Sequence, residues 1–470
     1  MNLPISAIKS LELSGVHYTS LNLDLTESDS PTVVMQSTIA KKQHVILVVL
    51  EDSIGKMQCA LTQDCFIDLT LLCETLGRNL KGIEQVSITK LVHSFGLETM
   101  CGLPGLTNYP CIVSPQIMQA DQLYFESGKS GALIKLDKKN IQLLFQGAQQ
   151  IPFAKNIEQH MPPSANAITD DEASITKAVE SFTSLRIKQR LETTLEIPPM
   201  PETSRKVIQL RVDPDAGVTE LAALVETDPS LAAQVVSWAS SPFYAAPGKI
   251  KSVHDAVIRV LGFDLVINLA LGLSLGKGLE LPNDGASNVT PYWKQAVYCA
   301  TTTELICRQI PKEQRPAPGL AYLSGLLHNF GYLILGHIFP PHLSLVNRFL
   351  EANPHVPLQV IEYYLIGVTR EQLASWLFNS WHMPDEIVTA LRWQNSPRYK
   401  GEFHNYANIL FIANQTLRSH NLGSGPAESI PPEMLEKLQI DPQELHLATQ
   451  KIWDNIEHLD SIAKNLSNGT

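Results

Sequence analysis

The sequence predicts a chain in two parts: an α/β domain, a mixed sheet with helices, over residues 1–150, then an all-α domain over 190–465. Residues 151–189 are expected to link them. Three observations carry this. Long uncharged runs such as HVILVVL (44–50) suit buried strands. Residues 154–185 turn polar and contain Pro162-Pro163, which marks a linker with room for one helix. Beyond about 190, apolar residues recur at helical spacing to Asn465.

In chain order, Ile5 to Leu13 has the apolar period of a helix. VVMQSTIA (33–40) and HVILVVL follow as strands, the second closed by the turn Glu51-Asp52-Ser53-Ile54-Gly55. LIKL (133–136), preceded by Gly128 and Gly131, is another strand. Asp228-Pro229 starts a helix, because Asp accepts from free N–H groups and Pro fits the first turn. Leu231, Val235 and Trp238 then share one face. Ser252 opens the next helix and Gly262 closes it; Asp264 is placed to cap LVINLALGLSL. Thr290-Pro291 starts a helix with Trp293, Val297 and Leu305. The polar linker implies two compact domains without a shared core.

The chain has 470 residues, 44% hydrophobic and 18% charged, with a formal net charge of −11. That balance argues against general nucleic-acid binding, which relies on Lys and Arg neutralising phosphates. No run of about 18 uncharged apolar residues is present, so no membrane span is expected. MNLPISAIKSLEL lacks the parts of a signal peptide, and a cytoplasmic location is expected. The seven cysteines form no CxxC pair, so they read as core thiols rather than a zinc or disulfide framework.

In the second half, IPPMPE (197–202), ETDPSLAAQVVSWASSPFY (226–244), KIKSVHDAVIRVLGFDLVINLAL (249–271) and YLSGLLHNFGYLIL (322–335) resemble the HDOD family. These domains are related to the HD phosphohydrolases, whose His and Asp ligands hold metal ions that activate water. The resemblance implies where such ligands would stand. Those positions carry Gln295, the pair His328-Asn329, Arg370 and Gln394-Asn395. One histidine cannot hold a catalytic divalent metal, and Arg370 would set a cation where the metal belongs. No metal and no other cofactor are expected, and His328 reads as a core histidine at a helix start, bonded to backbone. His337, His342 and His382 are given structural roles; Ile-Phe-Pro-Pro between the first two rules out one regular helix carrying both. The resemblance implies regulation or signal transduction through protein contacts.

In the first half, YFESGKSGALIKL (124–136) is similar to the closing segment of the YbaK/ProX domain of trans-editing aminoacyl-tRNA deacylases. This implies a strand-start lysine, Lys41 or Lys42, and a loop whose backbone N–H groups hold a carbonyl. CGLPGLTNYP (101–110) stands in the loop's place. With Pro104 as its proline the glycine position is Met100, and Gly102 and Gly105 supply flexibility in a different register. Gly128 and Lys129 form a turn that can also face a phosphate or carboxylate. Residues 1–150 hold 11 Lys and Arg against 14 Asp and Glu, a formal −3, so tRNA binding would need the lysines gathered on one face. Two functions follow: a non-catalytic regulator with protein partners and a ligand- or tRNA-binding front domain, or an active aminoacyl-tRNA deacylase tethered to a signalling module. The oligomeric state is not legible.

Overall fold

The computed structural model describes residues 3–22, 39–107, 109–163, 171–182, 200–244, 248–276, 279, 290–338 and 340–468. The predicted strand at 33–40 falls mostly outside them.

Among the described residues the first domain has ten strands: β1 Thr19–Asn22, β2 His44–Glu51, β3 Lys56–Thr62, β4 Cys65–Ile67, β5 Lys81–Gly82, β6 Cys111–Val113, β7 Gln122–Glu126, β8 Ala132–Asp137, β9 Gln149–Gln150 and β10 Ala154–Asn156. The main sheet runs β1-β8-β7-β2-β3-β6-β9, with β5 on β2; β10 pairs with β4 apart from it. β2 lies parallel to β7 and antiparallel to β3, so the sheet is mixed, as predicted. The β2–β3 hairpin turns at Asp52–Gly55, where Asp52 accepts from the Ile54 and Gly55 N–H groups and pairs with Arg78. Helix Ile5–Leu13 forms as predicted.

Side chains alternate across each strand and so face two different cores. Val45, Ala60, Phe125 and Ile134 pack with Ala7, Leu11 and Ile141 on one face. Val48, Leu50, Cys59 and Leu61 on the other face join a core that continues into the helical half. The expectation of two domains without a shared core is therefore wrong. Polar bonds reinforce the junction. The buried Asn353 amide accepts from Ile67 N–H at 2.7 Å and donates to Ile67 O at 3.1 Å, adding a strand-like partner to β4. His355 Nε2 donates to Cys65 O at 2.8 Å, and Tyr364 donates to Asp68 at 2.8 Å. A Cβ at Gly82 would overlap the Glu351 backbone, so the two halves meet too closely there for any other residue.

The linker is more ordered than its polarity suggests. Ile151 and Phe153 are buried in the shared core, and helix Asp171–Phe182 is pinned by Asp171, which accepts from Arg392 and Gln372. Polar composition hid this because the anchoring is done by ion pairs and a few apolar residues, Ile151, Phe153, Ile175, Ala178 and Val179.

The second half is helical, and its predicted starts stand. Asp228 caps Pro229–Ala239 by accepting from the Ser230 and Leu231 N–H groups, and Ser252 caps the helix from Val253. Gly262 ends the following π-helical turn, Val257–Leu261, at φ +80°. Asp264 is corrected: it sits within the first turn of Phe263–Gly276, and its carbonyl accepts from Asn268. Among the described residues no helix is long and apolar enough to cross a membrane. All seven cysteines are free thiols.

Candidate functional site: a polar pocket at the degenerate HD positions

Gln295, His328, Asn329, Arg370 and Gln394 come from four separate stretches of helix, and they line one pocket. Gln295 lies in the first turn of Tyr292–Gln309. His328 ends Pro318–Leu327, so it stands at a helix end and not at a start. Its Nδ1 donates to Gly325 O at 2.8 Å. Arg370 is the first residue of Arg370–Ser380, set by a capping box between Thr369 and Gln372. A Cβ at Gly331 would overlap the Arg370 carbonyl, so the glycine of His-Asn-Phe-Gly lets the two chains meet.

These side chains bond mainly to each other and to backbone. Gln295 Nε2 donates to Thr290 O and Ser424 Oγ, and Asn329 Nδ2 to Gln295 Oε1 at 3.4 Å. Gln394 Nε2 donates to His328 O at 2.7 Å, and Asn414 donates to Gln394 Oε1 at 3.0 Å. Arg370 forms the centre. Its Nε donates to Glu362 Oε1, its backbone N–H to Glu362 Oε2 at 2.9 Å, and its Nη1 to Asn329 Oδ1 at 2.9 Å. The guanidinium also sits 5.3 Å from the Tyr332 ring centroid. Arg370 is 4% exposed and Glu362 0%.

Burial pushes the Glu362 carboxyl up, and Arg370 opposes that rise. Burial pulls His328 down to about 4, with Arg418 and Arg370 adding repulsion. A neutral His328 with Nδ1 spent on backbone is one imidazole nitrogen beside a guanidinium. Among the described residues no group of three or more His, Cys, Asp or Glu gathers as a ligand set. The metal that HD relatives use does not fit here, and the cavity volume of ≈ 30 Å³ is room for about a water or two.

Glu362 was missed in the sequence. Its signal was a lone carboxylate in the apolar run LQVIEYYLI (358–366). Glu371 and Arg418, which also line the pocket, were missed for want of any motif.

The first-domain candidates are placed differently. Lys41 and Lys42 are exposed on a short 3₁₀ turn before β2. Lys41 lies near enough to His355 of the helical half to oppose its protonation, behind the larger effect of burial. Gly102 N–H donates to Glu126 O at 2.8 Å, and Gln58 Nε2 donates to Pro104 O at 2.8 Å, so this loop is laid against the sheet. A Cβ at Gly105 would press on Ser10 Oγ. Gly128 is buried at φ +86° and its carbonyl accepts from Glu98 N–H, while Lys129 N–H bonds Ser127 Oγ. His44 of β2 is opposite Tyr124, and Gly128 comes four residues later, two past the end of β7. The lysines precede β2 at the end of the sheet where β7 begins, and the Gly128 turn follows the other end of β7.

The HDOD domain model matches residues 197–397. A crystal structure from Marinobacter aquaeolei VT8, named "Putative signal transduction protein", is 37% identical to this chain. It covers 99% of this chain and all of its own length with a TM-score of 0.87. An HDOD domain protein of unknown function from Geobacter sulfurreducens aligns at 21% identity over 63% of this chain and 99% of its own, with a TM-score of 0.50. An uncharacterised protein of Treponema pallidum (strain Nichols) is 22% identical over 264 residues, 56% of this chain. The chain spans half the length of that curated relative.

Proposed function

This chain belongs to the HDOD-domain proteins, and on that premise we propose that it is a non-catalytic regulatory protein, acting in signal transduction through protein contacts of its helical half. One observation carries the reading: Arg370, at a position where the resemblance implies a metal ligand, has its guanidinium paired with Glu362 and bonded to Asn329. A cation fixed by a buried carboxylate repels a second cation and leaves no activated water. What remains is a rigid helical scaffold joined to a sheet domain by a shared core. The name of the Marinobacter relative supports the signalling part of the reading.

The test is hydrolysis. The full chain is incubated with Mn²⁺, Mg²⁺ or Zn²⁺ and a panel of nucleotides, cyclic dinucleotides and aryl phosphodiesters. The reading predicts no turnover above the uncatalysed rate; metal-dependent turnover lost in His328→Ala overturns it.

A further inference from the structure

The degenerate pocket shares Leu358, Arg418, Leu422 and Gly423 with a second cavity of ≈ 360 Å³ at the domain junction. Its lining comes from both halves: Thr89 of helix Gln85–Ser94 on the first-domain side, and residues of the loop Asn421–Gly425 on the other. Leu350, Val356 and Leu358 give it a buried apolar floor. That size and mixture suit a small organic ligand.

Arg418 at the junction of the two cavities is anomalous. Among the described residues its side chain makes one hydrogen bond, from Nη2 to Asn395 Oδ1 at 3.2 Å. Among the described residues no carboxylate stands within ion-pair distance of it, although Glu371 and Glu428 act on it from farther away and Arg370 repels it. Burial works against its charge. Arg418 is half-buried, and guanidinium groups prefer bidentate oxyanions. Beside it, Glu371 is 5% exposed and its Oε2 is buried with no hydrogen-bond partner. Both side chains line the water-sized pocket, and Arg418 also lines the junctional cleft. Gly423 at φ +116° and Gly425 at φ +86° present bare backbone to the cleft, where a ligand can approach closely.

We propose that this junctional cleft binds a hydroxylated organic phosphate, a sugar or nucleoside monophosphate, with the phosphate on Arg418. The volume takes one such molecule, and the apolar floor takes its sugar or base. Because both halves wall the cleft, the ligand would report to both.

The experiment is calorimetric titration of the full chain with ribose 5-phosphate, adenosine monophosphate, inorganic phosphate and unphosphorylated ribose. At least one ester binds with one site per chain, and ribose does not. Arg418→Gln weakens that ester by about tenfold or more. Leu422→Trp, which fills the cleft and keeps the arginine, also abolishes binding and decides the matter if Arg418→Gln does not fold. If the nucleotide alone binds, the base lies on the apolar floor; if both esters bind, the sugar phosphate suffices. Absence of binding of either ester below about 5 mM, or equal binding by wild type and both variants, overturns the proposal. The inference rests on the regulatory reading. Failure to bind leaves that reading standing, whereas metal-dependent hydrolysis of a bound ester overturns both.

Discussion

Arg370→Met tests the idea that a guanidinium has replaced a metal as the organising charge of the pocket. Methionine keeps the apolar stem and removes the cation. Glu362, 0% exposed, would lose its side-chain donor and keep the backbone N–H of residue 370. Asn329 Oδ1 would also lose its donor. Breaking a buried pair in this way costs about 3–5 kcal/mol, mostly because the remaining charge is stranded. At ~2 °C per kcal/mol for a large domain, the melting temperature falls by about 6–10 °C. The loss depends on pH. Burial already pushes Glu362 up, and removing Arg370 removes the main opposing influence. A carboxyl raised in the folded state holds a proton that the unfolded chain releases, so stability falls as pH rises through the folded-state value. The variant's deficit against wild type is therefore larger at about pH 8 than at about pH 5.5. Adding Glu362→Gln removes the stranded charge and restores most of the loss. Thermal unfolding followed by far-ultraviolet circular dichroism reads all of this. A loss under ~2 °C, or a pH-independent deficit that Glu362→Gln leaves unchanged, refutes the reasoning.

Three further outcomes follow from the geometry. Burial lowers both His328 and His355 from 6.5 to about 4, so the unfolded chain takes the protons first. Stability is complete above about pH 6.5 and falls toward pH 4, by roughly 3 kcal/mol per histidine; His328→Asn, which keeps a donor for Gly325 O, flattens the profile measured by melting temperature. Asn353→Ala strands Ile67 N–H and C=O inside the junction, for a loss of about 2–3 kcal/mol, and speeds proteolysis between the halves; unchanged melting and cleavage would contradict the shared-core account. The alternative aminoacyl-tRNA deacylase is tested with a panel of mischarged tRNAs. We expect no ester loss above the spontaneous rate, because Gly102 N–H is already spent on Glu126 O. Loss abolished by Lys41→Ala with Lys42→Ala would establish the deacylase instead.

Local chemistry made the elements legible in the sequence. Asp228 before Pro229 and Ser252 before a helix are decided within a few residues, and the structure keeps both caps. The degenerate positions were readable because they lie inside ordered motifs, and the pocket gathers them. Pairings across long separations were not. Nothing near Asn353 points to Ile67, 286 residues away, and nothing near Arg392 points to Asp171. Hence the helix of a polar stretch read as a linker is docked by ion pairs, and two domains share a core. Arg418 carries no motif at all; its interest comes from what does not stand beside it.

The central claim is that the pocket has exchanged metal chemistry for an internal cation. The most direct measurement is metal content after equilibrium dialysis of the purified chain against Mn²⁺, Fe²⁺ and Zn²⁺, with His328→Ala alongside. The account predicts the same sub-stoichiometric metal in both proteins. One metal ion per wild-type chain at micromolar or tighter affinity, lost in His328→Ala, would contradict it.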